Sequence, residues 1–545
     1  MPVSSAQLID AAIERGLIDA DTVAQLRIQA RRDRSDLLDL ITTHYRFPLS
    51  TLYRALAESR GLPFVDPTML TPPEELVRRI PRTLLQRRHL LPIEENGTGV
   101  TVATSNPDDH TALEAIERLL GQSVRLAVAD PDALELAITK ALSHTGRHGL
   151  EPAESMTTAP TDAVTLLDQI FKEAFLRRAS DIHVEPQEEG VRVRLRVDGR
   201  LQIYLPALSE LEGAGLLSRI KVLAGLDIAE QRAPQDGGFT YHPPFGNTAI
   251  DVRVATAPTR WGERATLRLL GLEAASLTLE AIGMSSRELA RFRDVIRRPH
   301  GIILLTGPTG SGKTTTLYAA LREINSPEVN ILTVEDPIEY VIPGISQVEV
   351  GEKISFAKAL RSFLRHDPDV LLVGEIRDLE TVDVALKAAM TGHLVFSTLH
   401  THSACSAVTR LVDIGCERYL LASTLAAVIA QRLVRRLCPR CAAPYQPAPE
   451  ELAMLKIDDP ALFSLRRPAG CAYCLGTGYR GRIGVFEGLW ITPELSQLIT
   501  KGATESELRA GAGDELLTLW TDGRDKVLSG ITTLEEVLKV TMPDS

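Results

Sequence analysis

Residues 307–314 read Gly-Pro-Thr-Gly-Ser-Gly-Lys-Thr, a loop of the form G-x-x-x-x-G-K-[ST]. It follows the apolar run Ile302–Thr306 and precedes TTLYAALREIN, so the context is strand, loop, helix. Gly307, Gly310 and Gly312 let backbone N–H groups converge on a phosphate, and the helix N-terminus adds its positive dipole end. The predicted cradle runs Gly307, Pro308, Thr309, Gly310, Ser311, Gly312, Lys313, Thr314 and Thr315. Within it Lys313 reaches the β- and γ-phosphates, and the Thr314 hydroxyl is suited to Mg²⁺. This chemistry is that of a nucleoside triphosphate site.

Carboxylates and histidines recur downstream at strand ends. In DPDVLLVGEIRD (367–378) an apolar strand delivers Glu375 to the carboxyl edge of a sheet, where it can hold the Mg²⁺ water shell or position water. VEDPIEY (334–340) clusters Glu335, Asp336 and Glu339, one of which could align an attacking water. Alone, that cluster reads equally well as an acidic turn closed by Pro337. TGHLVFSTLHTHS (391–403) offers His393, His400 and His402, and spacing alone does not choose between metal ligands, bases and phosphate contacts.

Two further sets stand out. Cys438, Cys441, Cys471 and Cys474 form C-x₂-C-x₂₉-C-x₂-C, the spacing of a tetrahedral Zn²⁺ site. Four thiolates leave no open position, so such a zinc would be structural. The segments VRVRLRVDGR (191–200) and DVRVATAPTRWGERATLRLL (251–270) carry Arg192, Arg194, Arg196, Arg253, Arg264 and Arg268 on alternating positions. For Arg192 and Arg194 a solvated sheet face is the plain expectation.

These residues need elements to hold them. The short apolar runs GIILLTG, NILTVED, DVLLVGE and HLVFST alternate with helical stretches from Leu277 onward, which predicts a parallel sheet with helices on both faces. Upstream, DAVTLLDQIFKEAFLRR is amphipathic and the arginine-bearing segments alternate with period two, giving a second α/β domain over 162–272. Residues 144–161 have no periodicity and read as a linker. Residues 1–143 divide into short helices (1–66) and a small α/β unit (68–143), so this N-terminal region is α+β. The P-loop domain then spans 273–545 and the tetracysteine subdomain 436–482.

GPTGSGKTTTLYAAL, ILTVEDPIEY, RHDPDVLLVGEIRD and TGHLVFSTLHT, in that order, resemble the type II secretion assembly ATPases of the GspE/PulE type, which are related to type IV pilus ATPases. The resemblance covers about 160–540. It implies an α/β fold: a RecA-like P-loop domain, a preceding PAS-like α/β domain and a zinc-binding insertion. It implies a homo-hexamer that hydrolyses ATP with Mg²⁺ to power pseudopilus assembly. The motor would lie in the cytoplasm, peripheral to the inner membrane, on a membrane anchor's cytoplasmic domain and a platform protein. By the same resemblance Glu339 is the general base, supported by Glu335 and Asp336; Glu375 is the Walker B acid; His393 and His400 both touch the γ-phosphate region; and Arg253 and Arg268 are offered to ATP. His402 stands where the family usually has asparagine, and Gly238 where it often has arginine. The N-terminal segments fit the cyclic-dinucleotide pattern of some relatives poorly.

Composition narrows the alternatives. With 44% hydrophobic and 24% charged residues, the 545-residue chain can bury cores. The first residues lack a signal-peptide pattern and no run reaches the ~20 apolar residues of a membrane span. A net charge of −11 argues against a nucleic-acid motor. The basic stretch 78–89 reads as a solvated helix face. A type IV pilus extension ATPase would share every catalytic residue named above.

Overall fold

The computed structural model describes residues 3–33, 36–67, 70, 72–96, 99–145, 162–243, 249–270, 278–457 and 465–543. Beyond Thr145 the expected linker lies outside the described residues. The chain divides into two compact units, 1–272 with 470–477, and 273–469 with 478–545. Each is considered by itself.

The first unit opens with helices Ser5–Glu14, Ala20–Asp33, Leu37–Tyr45 and Leu49–Arg60. Ser4 and Gln7 form a capping box that satisfies orphan N–H groups at the start of the first helix. Leu8, Ile9, Ile41, Leu52 and Leu56 recur at helical spacing and meet in one fully buried cluster. A small sheet follows: β1 (Leu90–Asn96) is antiparallel to β2 (Gly99–Thr104), and β2 is parallel to β3 (Val124–Val128). Residues 470–477 group with this unit; the backbone N–H of Ala472 donates to Glu58 Oε1 at 3.1 Å.

Six antiparallel strands complete the unit: β4 (Ala179–Gln187), β5 (Gly190–Val197), β6 (Arg200–Leu208), β7 (Gln235–Tyr241), β8 (Ile250–Thr259) and β9 (Gly262–Leu270), in the order β6-β5-β4-β9-β8-β7. Helices Ala163–Leu176 and Glu210–Leu223 pack against one face. Because side chains alternate across a pleated sheet, Ile182, Val184, Val252, Val254, Leu267 and Leu269 fill that core, and the arginines stand on the other face.

The second unit is built on β10 (Gly301–Thr306), β11 (Ile331–Glu335), β12 (Ser346–Glu349), β13 (Val370–Val373), β14 (Leu394–Leu399) and β15 (Leu425–Leu437). A two-stranded ribbon, β16 (Ala443–Pro444) and β17 (Arg466–Arg467), and the long β18 (Tyr479–Trp490) follow. The main sheet runs β12-β11-β13-β14-β10-β15-β18. Its first six strands are parallel, and β18 joins antiparallel to β15 at the edge. Two buried clusters, one per face, embed the sheet, as a doubly covered parallel sheet requires. β10, β11, β13 and β14 are buried along their whole length, and all four end at one edge, where the loops that follow them converge.

Candidate active site

The glycine loop leaves the carboxyl end of β10 and enters helix Lys313–Ile324. Gly312, at the helix N-cap, has φ +88° and offers no side-chain cap, so the first N–H groups of the helix remain directed at the loop. Gly307 has φ +148°, and a Cβ there would lie 2.5 Å from Gln431 O and 2.9 Å from Arg432 Nη1. Only glycine lets the loop lie this close to β15. Pro308, Thr309 and Gly310 are exposed at the rim, Thr314 and Thr315 are half-buried, and the buried Ser311 hydroxyl has no protein partner. A buried orphan hydroxyl in a loop of inward N–H groups fits a polyphosphate.

Lys313 is buried and donates to the carbonyls of Gly307 at 2.7 Å and Pro308 at 3.2 Å. Burial draws its pKa down to about 8, with the Glu375 charge opposing and the Arg432 charge reinforcing the shift. Arg432 lies behind the loop, donating to Gln431 O at 2.9 Å and His402 O at 2.7 Å, while Gln431 accepts from Thr316 at 2.9 Å. The His402 ring itself is on an exposed residue, and its place in the fold is set through its backbone.

Glu375 follows β13 and is largely buried; its Oε2 is 3.1 Å from His400 Nε2, and its other oxygen pairs with Arg377. Arg377 also approaches Asp336 at 3.7 Å. A threonine hydroxyl and a carboxylate, such as those of Thr314 and Glu375, are hard oxygen donors of the type Mg²⁺ takes.

Glu335, at the end of β11, is 3% exposed and accepts from Thr333 Oγ1 at 2.6 Å, Gln347 Nε2 at 3.1 Å and the Tyr318 hydroxyl. The same hydroxyl accepts the Glu339 N–H at 3.3 Å. Burial, then the Glu335 charge, drives the Tyr318 phenol upward, so it stays a donor. With its lone pairs so occupied, Glu335 supports the turn that carries the half-buried Glu339. Tyr318, Gln347, Arg377, Gln431 and Arg432 were not singled out from sequence. They come from a helix, an edge strand, a loop and β15, and no local pattern joins them.

The structure corrects the expectation for the histidines. His393 and His400 do not meet. His400 follows β14 on the phosphate side, whereas His393 precedes β14, its carbonyl accepting from Gly301 at the start of β10. Seven residue steps along the strand at ~3.3 Å each put it about 23 Å away, at the opposite edge of the sheet. There its Nδ1 lies 2.8 Å from Ala388 O, which ties the ring to the preceding helix.

In the other unit Arg253 and Arg268 are register partners on β8 and β9. Arg268 is 62% exposed, and its Nε donates to Asp181 at 3.2 Å. Arg192 and Arg194, expected on a solvated face, instead pair with the buried Glu185 at 3.3 and 2.6 Å. That pairing lowers the Glu185 carboxyl although burial opposes it.

The Sγ atoms of Cys438, Cys441, Cys471 and Cys474 all lie within 4.8 Å of one another, and those of Cys471 and Cys474 are 3.8 Å apart. Tetrahedral zinc with ~2.3 Å Zn–S bonds requires S···S of about 3.8 Å, so the donor set fits Zn²⁺. Cys405 and Cys416 are buried elsewhere, their thiols raised by burial to about 12 and about 11.

Residues 158–539 match the family model described as "Type II/IV secretion system protein". The chain belongs to this family. Residues 60–148 also match the MshEN domain. Among relatives, the Type II secretion system protein E of Pseudomonas aeruginosa is 43% identical over 489 residues, 85% of this chain and 96% of that protein. The Type IV pilus assembly ATPase PilB of Thermus thermophilus is 38% identical over 537 residues, 94% of this chain and 60% of its own length. Of solved structures, the ATPase DotB of Yersinia pseudotuberculosis is 22% identical and covers 73% of this chain and 100% of its own, with TM-score 0.53. That likeness concerns the fold alone. Among this family member's described residues, no helix is long and apolar enough to cross a membrane.

Proposed function

We propose that the protein is the ATPase motor of a type II secretion system, hydrolysing ATP to power pseudopilus assembly. The observation that carries this reading is the phosphate cradle at one sheet edge, with Glu375, His400 and the Glu339 turn beside it, in a chain 43% identical to a type II secretion protein E. Lys313 and the loop N–H groups bind the β- and γ-phosphates. Thr314 and Glu375 would hold Mg²⁺, which supplies charge neutralisation on the phosphate oxygens when bound. Glu339 accepts the proton of the attacking water, steadied by Glu335 through Tyr318. His400, hydrogen-bonded to Glu375, faces the γ-phosphate.

Arg253 and Arg268 supply the remaining charge. An arginine finger is worth ~10³–10⁵ in rate, about 4–7 kcal/mol at 1.36 kcal/mol per decade. A single charged hydrogen bond in the loop contributes ~1.5–3 kcal/mol. Closure of the arginine-bearing domain (162–272) over ATP bound to 273–545 is therefore the dominant switch, and hydrolysis releases it. The chain works as a cytoplasmic homo-hexamer on the cytoplasmic part of an inner-membrane anchor and a platform protein. Cys438, Cys441, Cys471 and Cys474 would hold Zn²⁺, which would stabilise the 436–482 insertion, too small to be held by its own core.

A second reading, a type IV pilus extension ATPase, draws on the 94% coverage by the PilB relative. A deletion strain decides between them. Loss of exoprotein export with twitching intact, restored by the wild-type gene but not by Lys313→Ala, is expected; loss of twitching with export intact favours the second reading.

A further inference from the structure

The outward face of the six-stranded sheet is arranged in rows. β4 contributes Asp181, His183 and Glu185 from its centre. Register sets Asp181 opposite Arg196 on β5 and Arg268 on β9, and sets Arg268 opposite Arg253 on β8. The acids thus occupy the middle strand, and arginines flank them on both sides.

Asp181 is only 9% exposed, and each oxygen has its own cation. Oδ1 accepts from Arg268 Nε at 3.2 Å; Oδ2 faces Arg196 Nε at 3.6 Å and accepts the Ser180 hydroxyl at 2.8 Å. Glu185 is engaged elsewhere, with Arg194 at 2.6 Å, Arg192 at 3.3 Å and Arg264 at 3.6 Å. In Arg268 the bond to Asp181 is made by Nε, the nitrogen nearest the stem. A guanidinium held there has its plane fixed while both terminal NH₂ groups remain to form a bidentate contact with an anion. Arg196 keeps the carboxylate neutralised, so Asp181 does not depend on Arg268 alone for its buried charge.

We propose that Asp181 is a positioning residue for the reaction. It sets the orientation in which Arg268 presents its two NH₂ groups to the γ-phosphate. This rests on the reading of Arg268 given above as an arginine offered to ATP. Asp181 touches no substrate, and its effect passes through the Arg268 guanidinium.

The test measures kcat and KM for Mg·ATP with the full chain in its assembled form. Asp181→Ala is expected to lower kcat by about tenfold to a hundredfold, the worth of one charge-assisted hydrogen bond made in the transition state, with KM changed less than about threefold. Asp181→Asn keeps an oxygen acceptor at the same place and should recover to within about fivefold of the parent. Arg268→Ala should be slow, and Asp181→Ala added to it should slow it no further. Parent-like kcat in Asp181→Ala beside a slow Arg268→Ala overturns the proposal alone. So does Asp181→Asn as slow as Asp181→Ala, or a double variant slower than Arg268→Ala by the full factor of the single change. Parent-like kcat in Arg268→Ala removes the reading of that arginine, and this proposal with it.

Discussion

Replacing Tyr318 by Phe isolates the support of the Glu339 turn. The ring is fully buried and stands edge-on to Tyr340 at 4.7 Å. Phe keeps that packing and opens no cavity, so only the hydroxyl is lost. Its loss removes one donor from the buried Glu335 carboxylate, ~1.5–3 kcal/mol, and one acceptor from the Glu339 N–H, ~1 kcal/mol. Glu335 retains Thr333 and Gln347 and stays anchored, so the ~3 kcal/mol is shared between its carboxylate and the released Glu339 turn. If about half of the ~3 kcal/mol appears as misplacement of the base in the transition state, kcat falls roughly tenfold; if all appears, by roughly a hundredfold. KM for Mg·ATP should change less than about threefold, because the phosphate cradle is untouched. Steady-state ATPase of Tyr318→Phe, Glu335→Gln and their double variant tests this. The two changes act on one hydrogen bond, so the double should lose clearly less than the sum. An unchanged kcat in Tyr318→Phe, or strict additivity, refutes the reasoning.

Other outcomes follow from the same geometry. In the proposed site the Lys313 ammonium holds phosphate, and burial depresses it to about 8, so kcat/KM should fall as pH rises through about 8; a profile flat to pH 10 contradicts this. ATP binding restores charge around the lysine and raises its pKa, so kcat should hold to higher pH than kcat/KM. His400→Ala, which removes one of the two partners of Glu375 and leaves Arg377, should lower kcat by about tenfold or more, while His393→Ala should stay within about twofold; equal losses would reinstate the histidine pair. Elemental analysis should give one zinc per chain, and strong chelation should expose the four thiols to a thiol reagent and lower the melting temperature. A zinc-free protein with an unchanged melt contradicts the metal centre.

What was legible in the sequence was what local chemistry enforces. The glycine loop announces itself because its conformation demands glycine at fixed places, and the short apolar runs before it and at Val370–Val373 can only be buried strands. β15 was not read. Its first eight residues are buried on both faces, so the period-two signal is missing where it was needed, and arginines interrupt the remainder. The antiparallel β18 depends on β15 and was missed with it. The Tyr318 link to Glu335 and Glu339 joins the middle of helix Lys313–Ile324 to the end of β11 and the loop after it, and no sequence pattern relates that helix to that turn. The histidine pair failed for a reason that was available: if HLVFST is a strand, its two flanking histidines must lie at opposite sheet edges. Pairing of Arg192 and Arg194 with Glu185 follows from the β4–β5 register, which charge alternation alone does not supply.

The most direct test of the central claim, that an arginine-bearing domain must close over ATP held by the glycine loop, compares binding with turnover in Arg253→Ala/Arg268→Ala. Equilibrium binding of a fluorescent ATP analogue should stay within about threefold of the parent while turnover falls by ~10³ or more. Turnover at the parent rate would contradict the account.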